Sequence, residues 1–195
     1  MDAVTAPDPT ALVEAALIDH FGHRPQRASV SFVGVQPLDV LRFEAVPGEY
    51  AYVTLGMSRT PMTGADEAVV AADGPRAELL LQVRDAGPRH RDVWRRLAVL
   101  AAAPAVEGLV HRAGATVDLA EPLAPGSRCT GVVVAESTVP VVATEGAEIA
   151  ILQVLPATAN ELAWARVHGS ASLRERWREQ RIDLRELGRA PAELS

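Results

Sequence analysis

Three strand-like runs, at about residues 28–35, 38–46 and 50–56, follow one another through turns too short to hold a crossover. Parallel neighbours need a long connection, so this succession commits the first half of the chain to antiparallel pairing. Pro47-Gly48-Glu49 reads as the hairpin turn between the last two runs. A fourth run, 76–84, alternates most clearly: Ala77, Leu79, Leu81 and Val83 fall on one side, and Arg76, Glu78, Gln82 and Arg84 on the other. Leu80 is the exception. The pattern predicts a half-buried strand whose second face meets water or a partner. Shorter strands are expected near 116–120 and 128–136, and Ile149–Leu155, apolar on both faces, predicts a central strand that Pro156 ends. Residues 60–75, with two Pro, two Gly and several acids, form a loop.

Helices fill the gaps. Asp8-Pro9 supplies a capping carboxylate and a tolerated first-turn proline for a helix over 9–21, stopped by Gly22. Further helices are predicted over 90–103, closed by Pro104, and over 158–168 and 171–187, separated by Gly169. The order gives an α+β fold: a single domain with a mixed, largely antiparallel sheet flanked by helices.

Composition removes several functions. All 19 basic residues are Arg, so phosphate-loop lysines, Schiff-base chemistry and Ser–Lys dyads are excluded. The single cysteine, Cys129, permits no intrachain disulfide or cysteine zinc cluster and sits in a strand-like run as a small apolar group. A net charge of −6, spread evenly over both halves, argues against nucleic acid. The longest apolar run, Leu97–Val106, is about ten residues and is broken by Pro104, too short to cross a bilayer. The first eight residues carry neither a basic nor an apolar stretch, so the chain reads as cytoplasmic. With 34 Ala and only eight aromatic residues, the core is expected to be small-residued and aliphatic.

Few side chains look chemically poised. Gly56-Met57-Ser58-Arg59-Thr60 follows a strand and departs by one residue from a nucleophile elbow. Thr60 stands where the second glycine belongs, and a loop follows instead of a helix, so the segment is read as a structural turn. His20 and His23 lack a neighbouring acid at helical spacing, and a histidine near a helix C-terminus suits the dipole. His90, His111 and His168 form no catalytic arrangement, and no metal or cofactor is expected. The last predicted helix carries an apolar seam of Leu173, Trp177, Leu184 and Leu187 beside acids at 175, 179, 183 and 186. Another face presents Arg174, Arg178, Arg181 and Arg185. Like charges at this spacing disfavour an isolated helix, so packing must support it.

Val53-Thr54-Leu55-Gly56-Met57-Ser58, then Pro61-Met62 and Arg76-Ala77-Glu78-Leu79, resembles the central stretch of Suppressor of Fused domains. Trp94 with Leu97, and Leu152 to Pro156 followed by Glu161-Leu162, extend the likeness over roughly 28–165. The resemblance implies a mixed sheet domain without known enzymatic activity. The family's multi-domain animal member grips Gli-type transcription factors by strand pairing between two domains; bacterial stand-alone relatives resemble immunity proteins that neutralise toxins. The second jaw of the animal clamp is not expected here, and Gli-like binding is not carried over. The expected organisation is a Suppressor of Fused-like domain over 1–170, with an amphipathic helix and tail over 171–195 docked on it. The expected function is non-catalytic protein binding, of an immunity type, to a partner such as a toxin, with no nucleic acid or membrane. Candidate partner-binding residues are Met57, Arg59, Glu78, Trp164, Arg174, Trp177 and Arg178, and strand addition at a sheet edge is a second route. The alternatives are a small serine hydrolase using Ser58 with a histidine, and a domain that only supports a larger assembly.

Overall fold

The computed structural model describes residues 8–66, 71, 73–84, 92–144 and 146–194. Helix α1 (Pro9–Phe21) starts and stops on its local signals: the Asp8 carboxylate accepts from the Thr10 amide at 3.0 Å, and Gly22 closes the helix at φ 75°. Strands β1 (Gln26–Val30), β2 (Leu38–Val46), β3 (Glu49–Leu55) and β4 (Arg76–Arg84) then form an antiparallel meander. Pro47 and Gly48 make the hairpin link; Gly48, at φ 79°, adopts the left-handed conformation that follows proline in such turns. β1 is shorter than expected, since residues 31–37 form a loop.

The second half adds α2 (Val93–Glu107), β5 (Thr116–Asp118), β6 (Cys129–Glu136), β7 (Val142–Ala143), β8 (Glu148–Thr158), α3 (Ala159–His168) and α4 (Ser170–Glu179). The sheet order is β1-β2-β3-β4-β8-β6-β5, with β7 pairing β8 off that path. Every pairing is antiparallel except β4 with β8, which run parallel from Arg76↔Ile149 to Leu81↔Val154. One parallel seam therefore welds two antiparallel halves.

That central position corrects the reading of β4. Glu78 and Leu80 are as buried as Leu79 and Leu81, because β3 and β8 flank the strand and apolar clusters cover both faces. Leu79, Leu81, Val132 and Val154 pack under α2 residues such as Leu97 and Leu100. Leu80, Val53 and Ile151 pack on the other face with Val13 and Leu17 of α1. Val133, Ala157 and Leu162 continue that second face under Leu173 and Trp177 of α4.

Three helix or strand ends also differ from expectation. Pro104 lies inside α2 instead of closing it. Proline cannot donate to the Leu100 carbonyl, but buried His111 does so in its place, with Nε2 at 2.9 Å. A carbonyl only accepts, so Nε2 carries the proton; burial lowers the imidazole below the ordinary histidine value of 6.5, against the Leu100 bond, which raises it. Pro156 lies inside β8 instead of ending it. β4 partners β8 only as far as Val154, so past that point β8 is an edge, where a missing N–H is tolerated. α4 ends at Glu179, so Leu184 and Leu187 do not continue its seam.

Past α4 the chain straps across the end of the sheet where β4 and β8 finish. The Arg185 carbonyl accepts from the Arg84 amide at 2.9 Å, and the Leu187 carbonyl accepts from Ser127 Oγ at 2.9 Å and the Arg128 amide at 3.3 Å. His90, with its flanking arginines, lies outside the described residues.

The His111–Pro104 substitution of one donor for another gives a direct check. His111→Ala should cost about 2–3 kcal/mol by leaving the Leu100 carbonyl unpaired, and Pro104→Ala should recover part of that loss by restoring the helical N–H. Urea denaturation of the four-member cycle measures the coupling. Unfolded histidine takes up its proton first as pH falls below 6.5, so the wild type should lose stability there more steeply than His111→Ala.

Candidate functional site

The Gly56–Arg59 turn and the Arg76-x-Glu78 pair prove to be one unit. Glu78 has no exposed surface, and one carboxylate oxygen accepts from the Gly56 amide at 2.7 Å, the Ser58 amide at 3.0 Å and Ser58 Oγ at 2.7 Å. The other accepts from Thr54 Oγ1 at 2.7 Å, and Thr54 Oγ1 in turn accepts from the Leu79 amide. Two residues earlier on the same strand, Arg76 Nη1 donates to the Ser58 and Arg59 carbonyls at 2.9 and 2.6 Å. Carboxylate takes the turn's N–H groups and guanidinium takes its C=O groups, which is why the two charges stand two apart. Gly56 sits at φ 122°, and a Cβ there would lie 2.5 Å from Arg59 Nη1, which is held on the Pro37 carbonyl at 2.7 Å. Met57 is buried in the α2-side core and Arg59 is half-buried. Beside this turn, the 34–36 loop and the end of α2 border a cleft of about 420 Å³ whose lining includes Gly34, Gly56, Arg59, Thr63 and Gly108.

A second buried carboxylate, Glu161, works at the opposite end of the sheet. It completes a capping box with Thr158, accepting from that residue's amide at 2.8 Å. It also accepts from Trp177 Nε1 at 3.0 Å, the Ala192 amide at 2.9 Å, and both terminal nitrogens of Arg189 at 2.8 Å. Arg189, itself nearly buried, donates to the Pro156 carbonyl at 2.9 Å and lies over the Trp177 ring. Burial alone would raise the Glu161 carboxyl; the Arg189 and backbone hydrogen bonds outweigh it and hold the group below its ordinary value. Trp177, a candidate contact by sequence, is thus committed to the interior.

The other candidates lie near the surface. Trp164 is half-buried and stacks on His168 at 4.3 Å. Arg174 reaches Glu136 at 3.6 Å and Arg178 pairs with Glu175. Both line a groove of about 490 Å³ with Arg181 and Arg185. The structure therefore separates the seven candidates: Met57, Arg59 and Glu78 at one end of the sheet, and the arginines and tryptophans around α3 and α4. Burial raises the Cys129 thiol, consistent with a structural role. Among the described residues, no group of three or more His, Cys, Asp or Glu could hold a metal, and no helix is long and apolar enough to cross a membrane.

The family model for Suppressor of fused protein (SUFU) matches residues 34–190. The chain belongs to the Suppressor of fused family. No curated protein sequence matches it. Its fold is similar to that of a protein described as a SUFU homolog from Neisseria gonorrhoeae, at 16% identity and TM-score 0.69 over 96% of this chain and 98% of that one. It is equally similar to a chain of the Sufu–Fu complex, at 12% identity and TM-score 0.70 over 96% and 93% of the two chains. Drosophila Suppressor of Fused matches at 13% identity and TM-score 0.68; this chain is covered over 98% of its length and spans about half, 53%, of that protein.

Sequence reasoning singled out Glu78 but missed its task, and it missed Arg189. Thr158-x-x-Glu161 is a legible capping-box spelling; Arg189 carries no local signal because its partner is 28 residues away.

Substitutions at both buried carboxylates and at Arg189 test these geometries. Glu78→Gln should cost on the order of 2–4 kcal/mol, because an amide cannot accept from all the donors now aimed at it. Arg189→Met, which strands the Glu161 charge, should cost about 3–5 kcal/mol. Since the folded Glu161 value is lowered, its contribution is present above the ordinary glutamate value of 4.5 and is lost as pH falls through the folded one. Urea midpoints measured from pH 6 down to pH 3 should therefore fall less steeply in Glu161→Gln than in the wild type.

Proposed function

We propose that the chain is a non-catalytic, cytoplasmic protein-binding module, an immunity-type inhibitor of a partner protein such as a toxin. The observation that carries this reading is the state of Ser58. Its hydroxyl has no exposed surface and donates to Glu78, so the one nucleophile-like spelling in the chain serves the turn. A hydrolase acting through Ser58 needs that turn to open and a buried carboxylate to lose its donors.

Binding is supported from three directions. The family includes a member whose fold is seen in the Sufu–Fu complex. Strand β1 is an end strand of the sheet, which suits addition of a partner's strand. The net charge of −6 favours encounter with a basic partner.

Co-expression of the tagged chain with the products of its neighbouring genes tests the reading. The expected result is a stoichiometric complex that Ser58→Ala leaves intact. Recovery of no complex, together with ester or amide hydrolysis abolished by Ser58→Ala, would falsify it in favour of the hydrolase.

A further inference from the structure

The groove beside α4 gathers four arginines from two kinds of structure. Arg174 and Arg178 come from the helix, whereas Arg181 and Arg185 come from the strap that follows it. The arginine stripe read from the sequence thus survives the early end of the helix. One carboxylate, Asp183, shares the lining, so the groove is locally cationic in a chain of net charge −6.

Three of its arginines, Arg174, Arg178 and Arg181, are available to a ligand. Arg174 and Arg178 hold exposed surface partners, and Arg185 holds Asp183 at 2.9 Å and Glu49 at 2.5 Å. The pairs of Arg174 and Arg178, whose partners are exposed, contribute little and exchange readily for an incoming carboxylate, whereas Arg185 is half-buried and held by half-buried Asp183 and Glu49. Arg181 is exposed, and its side chain makes no hydrogen bond or ion pair with the described residues. Its backbone stands at φ 53°, in the left-handed region at the end of α4 where glycine is the usual occupant. An arginine kept in that conformation presents its charge to the groove at a cost in backbone strain. Between the cations, half-buried Leu155, Ile182 and Leu184 give the groove an apolar floor.

We infer that this groove docks an acidic segment of a partner polypeptide, one that alternates carboxylates with apolar side chains. The guanidiniums take the carboxylates and the floor takes the apolar side chains; a free inorganic anion uses only the first. This inference rests on the reading of the chain as a protein-binding module and adds the place and the charge of the partner's contact. Because the lining carries four guanidiniums against one carboxylate in a chain of net charge −6, such a contact also favours one orientation of the partner.

Fluorescence anisotropy with the full chain and a short fluorescein-labelled peptide alternating Glu with Leu tests it, with the Lys-for-Glu peptide as control. The acidic peptide should bind with an affinity that falls with added salt, the control should not bind, and Arg178→Glu with Arg181→Glu should weaken binding by about tenfold or more. Arg181→Gly should weaken binding while raising Tm, an opposition that a purely structural Arg181 does not produce. The inference fails if the acidic peptide does not bind, binds the reversed variant equally, or is displaced by millimolar inorganic phosphate. It also fails if Arg181→Gly raises Tm without changing affinity. A captured partner indifferent to the charge reversal removes the groove and leaves the binding module standing. Absence of any partner, with the peptide still held by these arginines, removes the module reading alone.

Discussion

The last part of the chain depends on one buried carboxylate. Glu161 caps α3 through Thr158, receives the indole of Trp177 from α4, and forms a two-point pair with Arg189 from the strap. Each contact belongs to a different element, so Glu161 sets where all of them lie relative to β8. A buried ion pair contributes less net stability than its geometry suggests, because both charges leave water. What this one supplies is register: the strap can cross the sheet end in one way, with the Arg185 and Leu187 carbonyls over the ends of β4 and β6. The arginine groove beside α4 is a consequence of that placement.

At the other end of the sheet, Glu78 performs the same task by different means. It has no described cation among its hydrogen-bond partners and is satisfied by two backbone amides and two hydroxyls. The pairing with Arg76 across the backbone of the Gly56–Arg59 turn converts residues that look reactive in sequence into a clamp. The motif that resembles Suppressor of Fused domains holds the turn after β3 from both sides, with Glu78 on its N–H groups and Arg76 on its carbonyls.

Much of the fold was legible because its signals are local. Asp8-Pro9 and Gly22 bound α1, Pro47-Gly48 makes the hairpin, and the ends of β4 match the predicted run. What local pattern missed was compensated at a distance. Pro104 reads as a helix stop until His111 supplies the missing donor, and Pro156 reads as a strand end until its one-sided pairing is known. Leu80, the exception in the alternation of β4, was the sign of a second buried face, and Glu78 opposite to the apolar side was the more misleading residue. The seam through Leu184 and Leu187 was helical in spacing only; Leu187 instead joins the α2-side core from the strap. Of the site, the arginines were visible as a stripe, while Arg189 required the fold to find its partner.

Hydrogen exchange resolved by residue tests most directly whether Glu161 and Arg189 place the strap. In Arg189→Met the Arg84 and Arg128 amides, which donate to the strap, should lose protection together with the amides of 185–192, while β1 to β3 keep theirs. Loss of protection spread evenly over the sheet, or a strap as protected as in the wild type, would contradict the account.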